Sequence, residues 1–439
     1  MAQVRGLGNI FKIEELKKKI LFTLGIIIIY RIGAHIPIAG VNAAALAEFF
    51  KQRLAGSVFG LYDIFVGGAL SRAAVFALGV MPHVSASIIM QLLTTTIPAL
   101  ERLHREGEHG RRVINRYTRY LTLVIAMIQG FGISMFLQSL RSPAGIPIVP
   151  NPGPGFTILT MITLGAGAVA AMWLGELISD YGVGNGISLL ILVGSLDSIP
   201  YDFLNTINLL KTGGISPIAF IIFIALALFL TAAVVAFTEA QRRIPIQYAG
   251  RQIGRRIYRG ATSYLPLTTA TAGIIPIIFA QSVLMFPNTV ATFFPSKFSE
   301  LLNAYWRPGI LYYDIPFALL IIFFAYFYTS VVINPKEMAD NLQRVGAFIP
   351  GIRPGPRTAE YIDRILSRII LPSAIFYALV ALTPWYIYKL LRIPFYFGGT
   401  RLLIIVGVSL DVMRQIESYL IMRQYDSLLK KGRLRSWRR

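Results

Sequence analysis

The chain has 439 residues, of which 55% are hydrophobic and 14% are charged, and its mean hydropathy is +0.61. A soluble protein carries roughly 25% charged residues and lacks apolar runs of about 20 residues, so these values exclude an ordinary soluble domain. The net charge is +21, and the absence of cysteine excludes disulfides, thiolate metal sites and cysteine nucleophiles.

Ten apolar runs predict a polytopic, all-α membrane protein with ten spans. The first run follows three consecutive lysines, and its length and the later runs favour an uncleaved span over a signal peptide. The run at 185–200 is short for a bilayer that needs about 20 residues. The predicted spans are 20–38, 72–95, 117–138, 156–178, 185–200, 215–238, 265–287, 311–333, 369–390 and 401–421.

The distribution of basic residues predicts the orientation of these spans. Lys and Arg number thirty in the alternate segments that include the N-terminus and ten in the opposite segments. Because cytoplasmic loops are enriched in Lys and Arg, both termini and the basic stretch "QRRIPIQYAGRQIGRR" (241–256) are predicted to be cytoplasmic.

Five spans in each half imply that any internal duplication is inverted. The second span of each half carries a matching motif, "GVMP" at 79–82 and "GIIP" at 273–276. Proline removes a helical hydrogen bond, so both helices are predicted to bend at corresponding depths. Paired interruptions of this kind indicate a central pathway. Packing between small residues is the alternative interpretation.

The sequence lacks the motifs of a nucleotide-hydrolysing or metal-dependent enzyme, including GxxxxGK[ST], HExxH and GxSxG. His104 and His109 lie in a charged loop, which favours solvation over metal binding. Asp411 lies within the last predicted span, three residues before Arg414. A local pair between these two residues is favoured over a proton relay, which remains the alternative.

Five strings together resemble the SecY family of protein-conducting channels: "GGALSRAAVFALGVMPHVSASIIMQLL" (67–93), "GRRVINRYTRY" (110–120), "GVGNGIS" (182–188), "GAFIPGIRPG" (346–355) and "PFYFGGT" (394–400). The similarity runs from about residue 16 to residue 431. It implies two inverted five-helix halves, 1–200 and 201–439, that form a clamshell around a central pore.

The resemblance also implies roles for individual residues. The pore ring falls on Val80, Val84, Ile187, Ile191, Ile278 and Ile404. The lateral gate includes Ser87, Gln91, Gln129, Thr271 and Ile274. Within the ring, Val80 and Val84 share one helix face by their spacing. Ala270 stands where many members carry a polar Asn, which leaves the polarity of the gate open.

The plug is expected at about 56–70, a segment too short to span a bilayer. Its predicted residues are Phe59, Leu61, Ile64, Phe65, Gly67 and Gly68, the two glycines forming a plausible hinge. The cytoplasmic loops 239–260 and 334–368 are expected to dock a ribosome or a motor. The docking arginines are Arg242, Arg243, Arg251, Arg255, Arg256, Arg353 and Arg357.

The implied function is translocation of unfolded secretory polypeptides across a prokaryotic inner membrane and lateral release of transmembrane segments into lipid. No enzymatic activity and no cofactor are expected. The implied partners are SecE, SecG, the SecA ATPase, the ribosome with its RNA, signal sequences, nascent chains and anionic lipids. A secondary transporter is the alternative, but it requires a substrate cluster at mid-membrane for which only Asp411 is a candidate. An intramembrane enzyme is the second alternative function.

Overall fold

The computed structural model describes residues 13–50, 58–141, 145–248, 251–253, 256–258, 262–268, 273–293, 305–306, 308–391 and 398–436. Helices dominate these ranges. The helices are α1 (Glu14–Gly33), α2 (Ala43–Phe49), α3 (Val58–Phe65), α4 (Met81–Thr96), α5 (Pro98–Arg105), α6 (Glu108–Ser139), α7 (Pro154–Tyr181), α8 (Gly186–Asp197), α9 (Ile199–Lys211), α10 (Pro217–Glu239), α11 (Ile275–Phe293), α12 (Leu311–Val332), α13 (Pro335–Arg344), α14 (Pro356–Leu391) and α15 (Gly399–Ser436).

Six of the helices within the described residues are long and apolar enough to cross a membrane, or seven if the bent pair α4 and α5 is one span. α8 and α9 together form one of them, so the run predicted at 185–200 extends to Lys211. α10 has a mean hydropathy of 3.0 and exposes most of its apolar side chains, as expected of a helix that faces lipid. These helices make the chain a multi-pass membrane protein.

The two Gly-Pro motifs begin helices instead of bending them. Gly79 and Gly273 have φ of +53° and +57°, in the left-handed region that glycine adopts readily. Pro82 lies in the first turn of α4, and Pro276 lies in the first turn of α11. Proline is tolerated there because the first N–H groups of a helix have no intrahelical acceptor. The predicted bend was therefore wrong, although the Gly-Pro motif occupies an equivalent helix start in both places.

Five short strands accompany the helices, β1 (Gln241–Tyr248), β2 (Arg251–Ile253), β3 (Arg256–Tyr258), β4 (Thr262–Thr268) and β5 (Ala347–Phe348). β1 pairs antiparallel with β4, from Gln241 opposite Thr268 to Gln247 opposite Thr262. β5 pairs with the other edge of β1, which gives the order β4-β1-β5. β2 and β3 form a separate hairpin.

The chain divides into two compact units. Unit 1 comprises Met1–Asn205, Ser282–Arg307 and Ile404–Arg439, and unit 2 comprises Thr206–Gln281 and Pro308–Leu403. A core cluster of unit 1 joins the segment after α1, and α2, to α6, α7 and the segment after α3. The core of unit 2 packs β1, β4 and β5 against α12 and α14.

Candidate functional site

Four helices carry five of the six aliphatic residues of the predicted pore ring, and the remaining one, Val80, is the N-cap residue of α4. Five of these side chains are buried, each with 7% or less of its surface exposed: Val80, Val84, Ile191, Ile278 and Ile404. The sixth, Ile187, is half-buried in the first turn of α8. Five of the six belong to unit 1, and Ile278 belongs to unit 2.

Close packing between α7 and α8 positions Ile187. A Cβ at Gly175 of α7 would lie 3.0 Å from Ile187 Cγ1, and a Cβ at Gly186 would overlap the carbonyl oxygen of Gly175. Asn185 caps α8, because its Oδ1 accepts a hydrogen bond from the Ser188 N–H at 3.1 Å. The glycines of "GVGNGIS" thus allow the backbone contact that sets the start of α8.

The same loop is fastened to two other elements of unit 1. The Val183 N–H donates to Thr23 Oγ1 of α1 at 3.1 Å, and the Gly184 N–H donates to Gln415 Oε1 of α15. Lys19 of α1 donates to Tyr419 Oη at 2.9 Å. These bonds tie α1, the α7–α8 loop and α15 together at one end of the unit.

The predicted gate residues lie on α4, α6 and the start of α11. Ser87 is half-buried, and the Oε1 atoms of Gln91 and Gln129 are buried without a hydrogen-bond partner among the described residues. Ile274, just before α11, is buried. Thr271 and Ala270 lie outside the described residues. A buried amide oxygen is costly in an apolar setting, so Gln91 and Gln129 each introduce a polar group into the packing of unit 1.

Further polar contacts lie along the same helices. His83 Nδ1 of α4 lies 3.2 Å from Thr122 Oγ1 of α6. In unit 1, Ser282 Oγ of α11 donates to Met81 Sδ at 4.0 Å. Ser282, which follows the second Gly-Pro motif, therefore contacts the neighbouring helix α4.

The predicted plug contains a helix shorter than the fifteen residues expected. α3 covers eight residues and ends at Phe65. Phe65 is 5% exposed, while the side chains of Phe59, Leu61 and Ile64, which lie in α3, are outside the described part. Gly67 and Gly68 follow with φ of +67° and +73°. Glycine adopts this left-handed conformation at little cost, whereas other residues are strained in it.

Charged residues surround these two glycines, and the sequence analysis missed them. Arg31 pairs with Asp197, and Arg72 Nη2 lies 3.9 Å from the same carboxylate. Arg31 lies inside the first predicted span, and Asp197 lies near the end of the fifth. Intramembrane charge was therefore the signal that could have identified the pair.

The predicted docking arginines lie on the two sheets and beside them. Arg242, Arg243, Arg353 and Arg357 are exposed. Arg251 and Arg256 lie on β2 and β3 with side chains outside the described part, and Arg255 lies outside the described residues. Thr358 Oγ1 donates to the Arg353 carbonyl at 3.0 Å and orders the turn before α14.

Asp411 and Arg414, the ionisable candidates of the last predicted span, both lie on α15. Asp411 Oδ1 lies 3.9 Å from Arg414 Nη1, and the two side chains are 61% and 41% exposed. The local pair is thus present. Within the described residues, no group of three or more His, Asp or Glu side chains is placed to hold a metal ion.

Comparison with known proteins extends over the whole chain. The family model named SecY matches residues 74–413. The chain is 48% identical to the protein translocase subunit SecY of Aquifex aeolicus over 97% of this chain and 99% of that protein. It is 43% identical to the SecY subunit of Escherichia coli K12, covering 97% and 96%.

Solved structures share the fold at lower sequence identity. A structure of a protein-conducting channel matches with a TM-score of 0.66 at 18% identity, covering 92% of both chains. Sec61 in the canine ribosome–channel complex from the endoplasmic reticulum matches with a TM-score of 0.62 at 17% identity, again over 92% of each. The buried aliphatic residues, the repeated Gly-Pro device and these similarities lead to one conclusion, that the chain belongs to the SecY family.

Proposed function

We propose that this chain is the channel subunit of a protein translocase and moves unfolded secretory polypeptides across the membrane. It is a channel and not an enzyme. Transmembrane segments leave sideways through a gate that includes Ser87, Gln91, Gln129, Thr271 and Ile274. The observation that carries the proposal is the burial of branched aliphatic side chains at five of the six pore-ring positions.

A ring of aliphatic side chains closes a pore to ions because water leaves a narrow apolar constriction. Full wetting of such a side chain costs about 1.5–3 kcal/mol. Partial wetting of six therefore opposes opening by roughly 5–10 kcal/mol. About ten apolar residues of a signal sequence supply about 3–6 kcal/mol. A cytoplasmic partner is therefore needed to complete the opening, since a shift from 1:99 to 99:1 takes about 5.5 kcal/mol.

The test compares two serine substitutions on α4, Val84→Ser at the buried ring position and Ile89→Ser at a side chain that is 40% exposed. Serine weakens dewetting at the constriction, so Val84→Ser is expected to raise the resting ion conductance of the reconstituted channel about 5- to 30-fold, which corresponds to about 1–2 kcal/mol. Ile89→Ser is the matched control and should leave the conductance unchanged. Equal conductance in both variants would contradict the ring assignment.

A second measurement tests the function itself. The unaltered chain, reconstituted with its partners, is supplied with an unfolded secretory precursor, a motor ATPase and ATP. Protection of the precursor from added protease is the expected result. A channel that conducts ions yet never protects a precursor would overturn the proposed function while leaving the ring assignment in place.

We also propose the partners and the orientation that the sequence predicts. The partners are SecE, SecG, the SecA motor, the ribosome and anionic lipids. Both termini face the cytoplasm of a prokaryotic cell, and the two halves, 1–200 and 201–439, form the clamshell. The exposure of Arg242, Arg243, Arg353 and Arg357 supports docking, because guanidinium groups bind phosphate and carboxylate in bidentate fashion.

A further inference from the structure

We propose that Asp197 is a positioning residue for the plug, because it holds the guanidinium groups of Arg31 and Arg72 against the glycine hinge that follows α3. We call this hinge, Gly67 and Gly68, the plug hinge. The inference rests on the proposed function, since it takes α3 as the plug.

Asp197 is the last residue of α8 and is shared by two cations. Its Oδ1 pairs with Arg31, and its Oδ2 lies 3.9 Å from Arg72 Nη2. The side chains of Arg31 and Asp197 are each only 23% exposed. Solvent screens such a pair less than a surface pair, and removing one partner leaves a half-buried charge without compensation.

His35 orients Arg72 from the other side. Its Nε2 lies 2.9 Å from Arg72 Nη1, and its Nδ1 lies 2.8 Å from the Arg31 carbonyl oxygen. A guanidinium only donates hydrogen bonds, so Nε2 is the acceptor and Nδ1 carries the proton that it donates to the carbonyl. Arg72 is thus held between the end of α1 and the end of α8.

The two guanidinium groups lie directly on the plug hinge. A Cβ at Gly67 would be 2.6 Å from Arg31 Nη1 and 3.1 Å from the Cα of Gly194 in α8, and a Cβ at Gly68 would be 3.4 Å from Arg72 Nη2. The hinge is therefore enclosed by α8 on one side and by the arginines on the other. No residue larger than glycine fits at Gly67 without displacing Arg31.

The carboxylate is what keeps Arg31 in this place. Arg31 Nη1 is buried and has no hydrogen-bond partner among the described residues, so the hinge itself offers this nitrogen no acceptor. A cation is costly to bury without an anion, and Asp197 supplies that anion through the neighbouring nitrogen. Without it the guanidinium is expected to turn toward water and leave the hinge uncovered.

Local bonds hold the rest of the turn without Asp197. The Gly68 N–H donates to the Asp63 carbonyl at 2.8 Å, and the Ser71 N–H donates to Asp63 Oδ1 at 2.8 Å. Tyr62 Oη donates to the Leu78 carbonyl at 2.8 Å. Loss of the Asp197 carboxylate should therefore uncover the hinge while the Gly68 bond, α3 and the turn stay in place.

The experiment uses single thiols, because the chain has no cysteine. Val66→Cys places a reporter directly before the hinge, at a side chain that is 2% exposed, and Ala168→Cys places a second reporter in the core of α7, 1% exposed. The rate of alkylation by a membrane-impermeant maleimide is measured on the intact, resting channel in vesicles, with and without Asp197→Asn.

Asp197→Asn is expected to raise the alkylation rate of the Val66→Cys reporter about 5- to 30-fold and to leave the Ala168→Cys reporter protected. Asp197→Glu keeps the charge and should stay close to the parent. Asp180→Asn, which removes an exposed carboxylate near the end of α7, is the control for charge and should change neither reporter. If Asp197→Asn fails to accumulate, Arg31→Gln breaks the same pair from the other side.

Two outcomes overturn the proposal: an unchanged rate at the Val66→Cys reporter, or a parallel rise at both reporters, which signals general unfolding. The outcome is separate from that of the proposed function. A chain that protects a secretory precursor but shows no effect of Asp197→Asn retains its function and lacks the positioning contact. A chain that never protects the precursor contradicts the proposed function, regardless of the alkylation rates of the two reporters.

Discussion

Gly79 shows how a single residue constrains the packing in unit 1. Its φ is +53°, and a Cβ there would lie 2.9 Å from Val66 Cγ1 and 3.4 Å from Tyr30 Oη. The sequence analysis identified the motif that contains this glycine but expected it within a bent helix. The predicted bend was wrong because Gly79 takes a left-handed conformation that ends the preceding turns, so that a helix begins at Met81. Residue type alone does not reveal this conformation.

Gly79→Ala is expected to destabilise the protein by about 1–3 kcal/mol, since the new methyl group meets both backbone strain and Val66. Thermal unfolding in detergent measures the change. Gly25→Ala is the matched control, because a Cβ at Gly25 in α1 has no other atom within 4 Å. Alanine favours a helix interior, so that variant should be neutral or slightly more stable. Equal shifts in the two variants would contradict the prediction.

At the scale of elements, the positions of the helices were more predictable than their limits. Hydropathy located α7 and α10 within a few residues of where they lie, because apolar runs must form helices in lipid. It also located the end of α6, but that helix begins at Glu108, nine residues before the predicted span. The span predicted from 265 begins at Ile275, since 262–268 is strand β4. β4 is partly buried and lies shortly before the helix, so its apolar residues extended the predicted run and periodicity could not separate the two elements.

The three-stranded sheet is the element that the sequence analysis missed. Ile244 and Ile246 alternate with exposed residues along β1 and are buried to 2% and 5%. This alternation in "RRIPIQY" was the available signal. Pairing of β1 with β5 brings a strand of the 334–368 loop beside the 239–260 loop, a contact between distant segments that no local pattern specifies.

Charge reversal tests the sheet, together with the turn before α14 and the start of that helix, as a docking surface. Arg243→Glu, Arg353→Glu and Arg357→Glu together should weaken binding to ribosomes and reduce the slope of log K against log salt by about 2–3, because each lost phosphate contact removes roughly one released counterion. The control is the same change at the exposed residues Arg111, Arg112 and Arg116 of α6. An equal loss in the control would mean that net charge, and not the sheet, governs binding.

At the scale of the whole molecule, composition predicted a polytopic helical protein, and the family similarity confirms it. The basic residues also predict which loops share a side of the membrane, because the translocation of short loops depends on Lys and Arg. The plug hinge contacts were only partly predictable. Charges within predicted spans are visible in the sequence, but Arg31, Arg72 and Asp197 are far apart in the chain, so no local pattern brings them together.

The orientation can be checked with two further single cysteines at exposed positions, Thr212→Cys after α9 and Gln247→Cys on β1. The alternation of spans places Thr212 outside and Gln247 in the cytoplasm. An impermeant maleimide added to intact right-side-out vesicles should therefore label Thr212→Cys alone, and detergent should expose both. Labelling of Gln247→Cys in sealed vesicles would contradict the predicted orientation.

The length of α15 has a mechanical consequence. Its 38 residues extend about 57 Å, whereas the hydrocarbon layer of a membrane is about 30 Å thick. A helix of this length does not fit within the hydrocarbon layer at an ordinary tilt, so close to half of it lies in water. Ile404 lies in its second turn. A load applied to the protruding portion is therefore transmitted to that isoleucine along one continuous helix.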